Sequence, residues 1–293
     1  MIKIAVRSYG RHKDIWKKTL STLSAQTDLD LGRQLVLAVT KDEYPLYKAE
    51  LPAVPMLDMI IVPKGGHNAT NGLIDYFPDG EKIIFMDDDI SAVKMYKDIM
   101  DKDSRDNEVA LGRLFGYAFG CFGSTPFGFD FTPNLMFKQG KPFAEFKLRK
   151  IGGAWWGAVN DKSALRTEQS HEDDNIRTAR ALHNHGGVGS INWLVATTAV
   201  GTNRGGMQSS GDRGTDERAT ATKDACYRAL QEPYVRDYYQ QDPVFIESMN
   251  FYSLRLKNIR ELRKQFPLSK ELRWSGFMQD KPDDSANTLE DFF

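Results

Sequence analysis

Three consecutive carboxylates, Asp87, Asp88 and Asp89, follow directly on the apolar run Ile83, Ile84, Phe85 and Met86 in the stretch EKIIFMDDDI (81–90). Adjacent aspartates repel one another and are costly to bury unpaired, so a positive partner belongs beside them. An Asp-x-Asp arrangement at the end of a strand suits a hard divalent cation, Mg²⁺ or Mn²⁺. Such an ion takes one or two carboxylates and fills its shell with phosphate oxygens and water. The chemistry implied is Lewis-acid assistance to a departing nucleoside diphosphate. A charged turn or a helix cap is the plainer alternative.

Other polar stretches have the composition to join such a site. Arg7 and Arg11, in the turn RSYGR (7–11), offer guanidinium groups to a nucleotide, and Tyr9 offers a ring to its base. Ordinary surface polarity would look the same. Asn68 and Asn71, in GGHNATN (65–71), are similarly placed, although Asn also simply caps helices. The glycine-rich segment 201–208, with Arg204 inside it and Arg213 beyond, could close on a diphosphate. His183 and His185 lie near an expected helix C-terminus, where cations suit the dipole, and they are not assigned as ligands.

The elements that must position these groups alternate. Short apolar strands are expected at 2–6, 34–40, 59–62 and 83–86, with helices from 15, over 44–51 and from 65 to 77. Pro45 fits the first turn of the second helix. This alternation implies a doubly wound, mainly parallel sheet whose ligand pocket lies at the carboxyl ends of the strands. Arg7 to Arg11, residues 64–71 and the acidic triplet all fall at those ends. The second half is less regular. It holds a helix or buried element at 110–122, a loop-rich 124–150, a strand within GGAWWGAV (152–159), a helix at 172–183 and a strand at 189–199. Helices at 216–230 and 254–266 follow, then an acidic, polar tail from 279.

The bulk numbers exclude several classes. The 293 residues suit one large α/β domain or one domain with an appendage. A net charge of -1 gives no global basic field for nucleic acid or membrane, though local patches remain open. Cys121 and Cys226 form neither a disulfide framework nor a CxxC pair, so a reducing, cytoplasmic location is expected. No membrane span or signal segment is expected.

The chain resembles the GT-A class of nucleotide-sugar glycosyltransferases over roughly residues 1–205. The likeness rests on the first strand with RSYGR, the Asn-rich helix start, FMDDDI, GGAWWGA and SHEDD (170–174). It implies a GT-A-like doubly wound mixed sheet flanked by helices, with a helical C-terminal part and a flexible acidic tail. The corresponding division is a catalytic domain at 1–205, a packed extension at 206–278 and the tail at 279–293. Within the catalytic domain the donor half is about 1–100 and the acceptor half about 101–205. The resemblance further implies a UDP-sugar donor with Mn²⁺ or Mg²⁺. Asp87 then sits near the ribose or base and contributes to the metal site, Asp89 holds the metal, and Asp88 takes either part. Glu172-Asp173 matches the family's second acidic pair, whose Asp is the general base in inverting members. Acids at a helix start are also favoured by the dipole alone. Trp155 and Trp156 match the acceptor-side segment, where one indole is expected to stack on substrate and a buried core pair is the alternative.

More narrowly, the chain looks like phage glycosyltransferases that decorate hydroxymethylated pyrimidines in DNA, on the strength of RSYGR, NATNG and NRGGMQ. Basic stretches with interleaved aromatics at 138–150 and 255–273 fit phosphate contacts plus stacking, and equally fit solvated helix faces. The last residues, ANTLEDFF, resemble the clamp-binding peptide of replication proteins. Leu289, Phe292 and Phe293 would share one face of a helical turn, with Ala286 standing where that peptide usually has Gln. A transferase for saccharide or protein acceptors, a nucleotidyltransferase, a metal-dependent nuclease and a non-catalytic DNA- or clamp-binding adaptor are the rival readings.

Overall fold

The structure is a computed structural model that describes residues 1–51, 54–96, 107–131, 141–151, 154–169, 171–198, 216–247, 251–258, 260 and 262. The chain opens on strand β1 (Lys3–Arg7), then helices α1 (Thr19–Ser24) and α2 (Leu31–Gln34), strand β2 (Leu35–Thr40) and helix α3 (Tyr44–Glu50). Strand β3 (Asp58–Val62), helix α4 (Gly66–Tyr76) and strand β4 (Lys82–Asp87) complete the regular half. β3, β2, β1 and β4 lie side by side in that order, all parallel.

The continuous apolar runs are explained by cover on both faces. Ile4, Val6, Leu35, Leu37, Val39, Ile84 and Met86 point into one core with residues of α1. Their alternates Ala5, Val36, Ala38, Ile83 and Phe85 pack with Leu73, Ile74 and Phe77 from α4 and just beyond it. Helix α4 begins after Gly65, whose φ of 123° only glycine adopts readily.

Past the acidic turn the chain enters a second sheet. Strand β5 (Ile90–Met95) pairs with β6 (Asn107–Glu108) on one side. Helix α5 (Leu111–Phe122) then packs on the first core, and β7 (Phe127–Phe129), β8 (Ala144–Lys147) and β9 (Trp155–Val159) follow. β9 runs antiparallel to β4, with Phe85 opposite Trp156 and Met86 opposite Trp155, and β7 pairs antiparallel with β9. β7 and β9 approach so closely that a Cβ on Gly157 would lie 2.2 Å from the Phe127 ring. After α6 (Lys162–Leu165) and α7 (Asp173–His185), β10 (Val188–Ile191) joins β7 in parallel and β8 antiparallel. β11 (Leu194–Thr198) crosses to the second sheet and pairs with β5. The result is a large central mixed sheet flanked by helices.

Helices α8 (Asp216–Ala229) and α9 (Val235–Tyr238) and the hairpin β12 (Val244–Ile246) with β13 (Phe251–Ser253) close the described chain. Cys226, Ala229, Leu230, Val235, Tyr238, Tyr239 and Leu262 form a separate core with Ile176, Ala179 and Leu182 of α7.

Three expectations for the second half change. The region 124–150 carries two strands, β7 and β8, because each short segment finds its partners 28 to 62 residues away. The single strand expected at 189–199 is two. Asn192 Nδ2 donates to Pro142 O at 2.8 Å and Trp193 Nε1 to Lys141 O at 3.0 Å, and this pinning redirects the chain from one sheet to the other. The helix expected from 254 instead begins as irregular chain, with Leu256 bridged to Tyr239, although residues 260 and 262 are helical. The tail at 279–293 lies outside the described residues. Among those described, no helix is long and apolar enough to cross a membrane.

Candidate functional site

β1 and β4 are neighbours in register, so Arg7 and Asp87 end their strands opposite one another. Arg7 Nε and Nη2 both lie 2.9 Å from Asp87 Oδ1, while Nη1 donates to Thr70 Oγ1 at 3.0 Å. Thr70 in turn donates to Gly66 O at 3.0 Å, fixing the first turn of α4. Two strand ends, those of β1 and β4, and the start of α4 therefore converge. Thr19 holds the acidic turn by its backbone: its Oγ1 donates to Asp87 O at 2.7 Å and accepts from Ile90 N at 3.2 Å.

The three aspartates alternate in direction. The Asp87 side chain is 31% exposed and that of Asp89 21%, but that of Asp88 only 6%. Asp88 turns inward, where it pairs with the buried Arg11 guanidinium and accepts a hydrogen bond from Ser8 Oγ. Burial pushes its carboxyl up to about 6 against the pull of Arg11 and Ser8. Asp87 is also raised by burial, opposed by Arg7. Asp89 Oδ2 lies 3.3 Å from Arg11. Only the outer two aspartates of the triplet thus reach solvent.

A hard divalent cation fits this arrangement on one condition. Among the described residues no group of three His, Cys, Asp or Glu side chains forms a ready cage. An ion on Asp89, with or without Asp87, would complete its shell from donor phosphate and water, as Mg²⁺ and Mn²⁺ commonly do. When bound, it would supply charge neutralisation to a leaving diphosphate.

The second acidic element begins α7. Asp173 is its first residue, and its Oδ2 lies 2.6 Å from Arg177 Nη1. Arg177 is 5% exposed and donates through Nε to Leu165 O at 2.7 Å. Burial favours protonation of Asp173, but Arg177 and Arg7 outweigh it and hold the carboxyl below the usual range. Asp173 is therefore ionised and able to take a proton, as a weak base. Arg7 falls within the field of both acidic elements, and its guanidinium is raised by Asp87 first and by Asp173 as well.

The remaining predicted residues divide. Tyr9 is partly exposed, with Lys64 Nζ 4.9 Å from its ring centroid, at the rim beyond β1 and β3. Arg11 is 6% exposed and committed to Asp88, so it supports the triplet from behind rather than facing a nucleotide. Asn71 is likewise interior: its Nδ2 donates to Thr167 O at 2.6 Å and its Oδ1 accepts from Thr167 N at 3.2 Å. Asn68 donates to Lys64 O at 2.8 Å.

Trp155 is fully buried, edge-on to Phe115 and Phe131, and offers no face to an acceptor. Trp156 keeps partial exposure but stacks on Phe85 at 4.1 Å, with Arg177 Cζ 5.6 Å from its ring. His183 stacks on Tyr234 in the last turn of α7, about 15 Å along the helix from Asp173 by helical rise. Gly152, Gly153, Arg204, Arg213, Leu289, Phe292 and Phe293 lie outside the described residues. β11 ends at Thr198 opposite Ile90, so the chain leaves that strand beside the acidic turn.

Ser8, Thr19, Lys64, Thr70 and Arg177 were not singled out from sequence. Ser8, Lys64 and Thr70 carried a signal only by sitting inside RSYGR and residues 64–71.

No known family profile matches the sequence, and no curated protein matches it. Among solved structures, glucosyl-3-phosphoglycerate synthase from Mycobacterium tuberculosis, in complex with Mn²⁺, uridine diphosphate and phosphoglyceric acid, is similar at 9% identity and a TM-score of 0.45. That likeness covers 88% of this chain and 87% of the synthase. S. aureus TarS is similar at 14% identity and a TM-score of 0.41, over 67% of this chain and 60% of that one. The 4-diphosphocytidyl-2C-methyl-D-erythritol synthase from Anaerococcus prevotii DSM 20548 is similar at 11% identity and a TM-score of 0.32, over 46% of this chain and 56% of that one. The chain thus spans less than two thirds of the latter two. At these identities function has to be read from the chain's own side chains.

Proposed function

We propose that the protein is a metal-dependent glycosyltransferase that moves a sugar from a nucleoside-diphosphate sugar, a UDP-sugar, to a hydroxyl acceptor. The observation that carries this reading is the alternation in the triplet: Asp87 and Asp89 face outward at the carboxyl ends of parallel strands, while Asp88 is consumed by Arg11. In this reading Asp87 meets the ribose, and Asp89 holds the metal with help from Asp87. Tyr9 and Lys64 line the nucleotide's path, and Arg7 supplies a cation between the two acidic elements. Asp173, ionised beside Arg177, accepts the acceptor's hydroxyl proton. Residues 1–205 form the catalytic part.

The acceptor we propose is the hydroxymethyl group of a modified pyrimidine in phage DNA. Arg149, Arg255 and Arg260 are exposed and suit phosphate contacts. Several neighbouring cations are already engaged within the protein, among them Lys150 with Asp174 at 2.7 Å and Lys147 with Ser190, which narrows the basic surface available. The peptide Leu289, Phe292 and Phe293 extends the proposal to a replication sliding clamp. Deleting residues 289–293 should then abolish clamp capture and spare turnover on short oligonucleotides.

The direct test incubates the protein with a panel of UDP-sugars, Mn²⁺ and DNA containing hydroxymethylcytosine, then reads base masses. A hexose or pentose adduct supports the proposal, a nucleotidyl adduct replaces it with nucleotidyl transfer, and shortened DNA replaces it with nuclease activity. Asp173→Asn should lower turnover on the order of 10²-fold or more if the carboxylate is the base. Near-normal turnover in that variant rejects the role.

A further inference from the structure

The carboxylate of Glu172 gathers donors from two separate parts of the chain. Asn175 Nδ2 donates to its Oε2 from the first turn of α7, and Leu254 N donates to the same oxygen at 3.2 Å from just beyond β13. The Cys226 thiol of α8, fully buried, is pushed up by burial first and by the nearby negative charge of Glu172 as well. Asn175 is itself fixed, because Tyr239 Oη donates to its Oδ1 at 3.0 Å.

The Glu172 backbone is left-handed, with φ of 67°, one of two non-glycine residues in that region among those described. An L side chain persists there when its surroundings over-determine it. Close packing does not achieve this alone. A cavity of about 230 Å³, lined by Lys150, Asn175, Tyr239 and Leu254 among others, opens between α7 and the hairpin.

We infer that Glu172 is a positioning residue for Asp173: its half-buried carboxylate ties the chain beyond β13 to the first turn of α7, and so fixes the direction in which the Asp173 side chain is held beside Arg177. The C-terminal elements are then part of the apparatus that aims the base rather than an appendage to it. This inference rests on the base reading of Asp173.

Two substitutions separate side chain from backbone. Glu172→Gln keeps an acceptor oxygen, whereas Glu172→Gly suits the left-handed backbone and removes the tether. The glycine variant should lose at least about tenfold in kcat for UDP release from a UDP-sugar, with KM for the donor within about twofold. Its amides at 173–176 should exchange with solvent at least about tenfold faster in the unliganded protein. The glutamine variant should recover most of both. Should the glycine variant fail to fold, Tyr239→Phe removes one hydrogen bond of the same network and should give the same split, smaller in size. Unchanged kcat and exchange in the glycine variant overturn the inference, as does a glutamine variant that falls equally far. Exchange needs no turnover, so a native protein that releases no UDP defeats the base reading while the tether is still judged by exchange.

Discussion

Asp87 hydrogen-bonds the Arg7 guanidinium and Asp173 acts on it through its field, from two elements that are placed differently. The acidic turn is placed by adjacent parallel strands in register, and its supports, Ser8, Arg11 and Thr19, come from the first nineteen residues. The start of α7 is placed by the Tyr239 side chain and by backbone beyond β13, up to 82 residues away. The first arrangement follows from sheet topology and from supports close to β1 in the chain. The second depends on long-range tethers, so it is where distant substitutions should reach the chemistry.

The comparison can be broken most decisively at Asp89. Asp89→Ala should lower turnover on the order of 10³-fold while leaving stability within about 0.5 kcal/mol, because its carboxylate is partly exposed. A variant that keeps turnover removes the triplet from the site. Asp88→Ala should show the opposite balance. It strips the buried Arg11 of its nearer partner and should cost about 3 kcal/mol in urea unfolding, toward the lower end for such pairs because Asp89 remains 3.3 Å away. Equal stability losses in the two variants would mean that the alternation along the triplet has no energetic content. A finer probe is Gly157→Ala, which should lose about 1–3 kcal/mol as the new methyl meets Phe127. Its donor affinity, measured by titration with UDP and Mn²⁺, should stay within about twofold if strand register alone holds the acidic turn.

The same contrast decides what was legible in the sequence. FMDDDI and RSYGR announced themselves because a parallel α/β half writes its strands as unbroken apolar runs and leaves polar residues at their carboxyl ends. Strands β7 and β8 were hidden in 124–150, since three or four residues carry no period and their partners lie far along the chain. Trp155 and Asn71 carried site-like residue types, and packing claimed both for the interior. Glu172 was visible only as the neighbour of Asp173. Its hydrogen bond from Leu254 N joins segments that no local pattern relates.

Trp156 lies flat against Phe85 of β4 on one side and within 5.6 Å of the Arg177 guanidinium of α7 on the other. An indole so sandwiched is a natural gauge of the gap between the strand bearing the triplet and the helix bearing Asp173. Its emission, isolated by subtracting the spectrum of a Trp156→Phe variant, would register any slippage between the two without an attached dye.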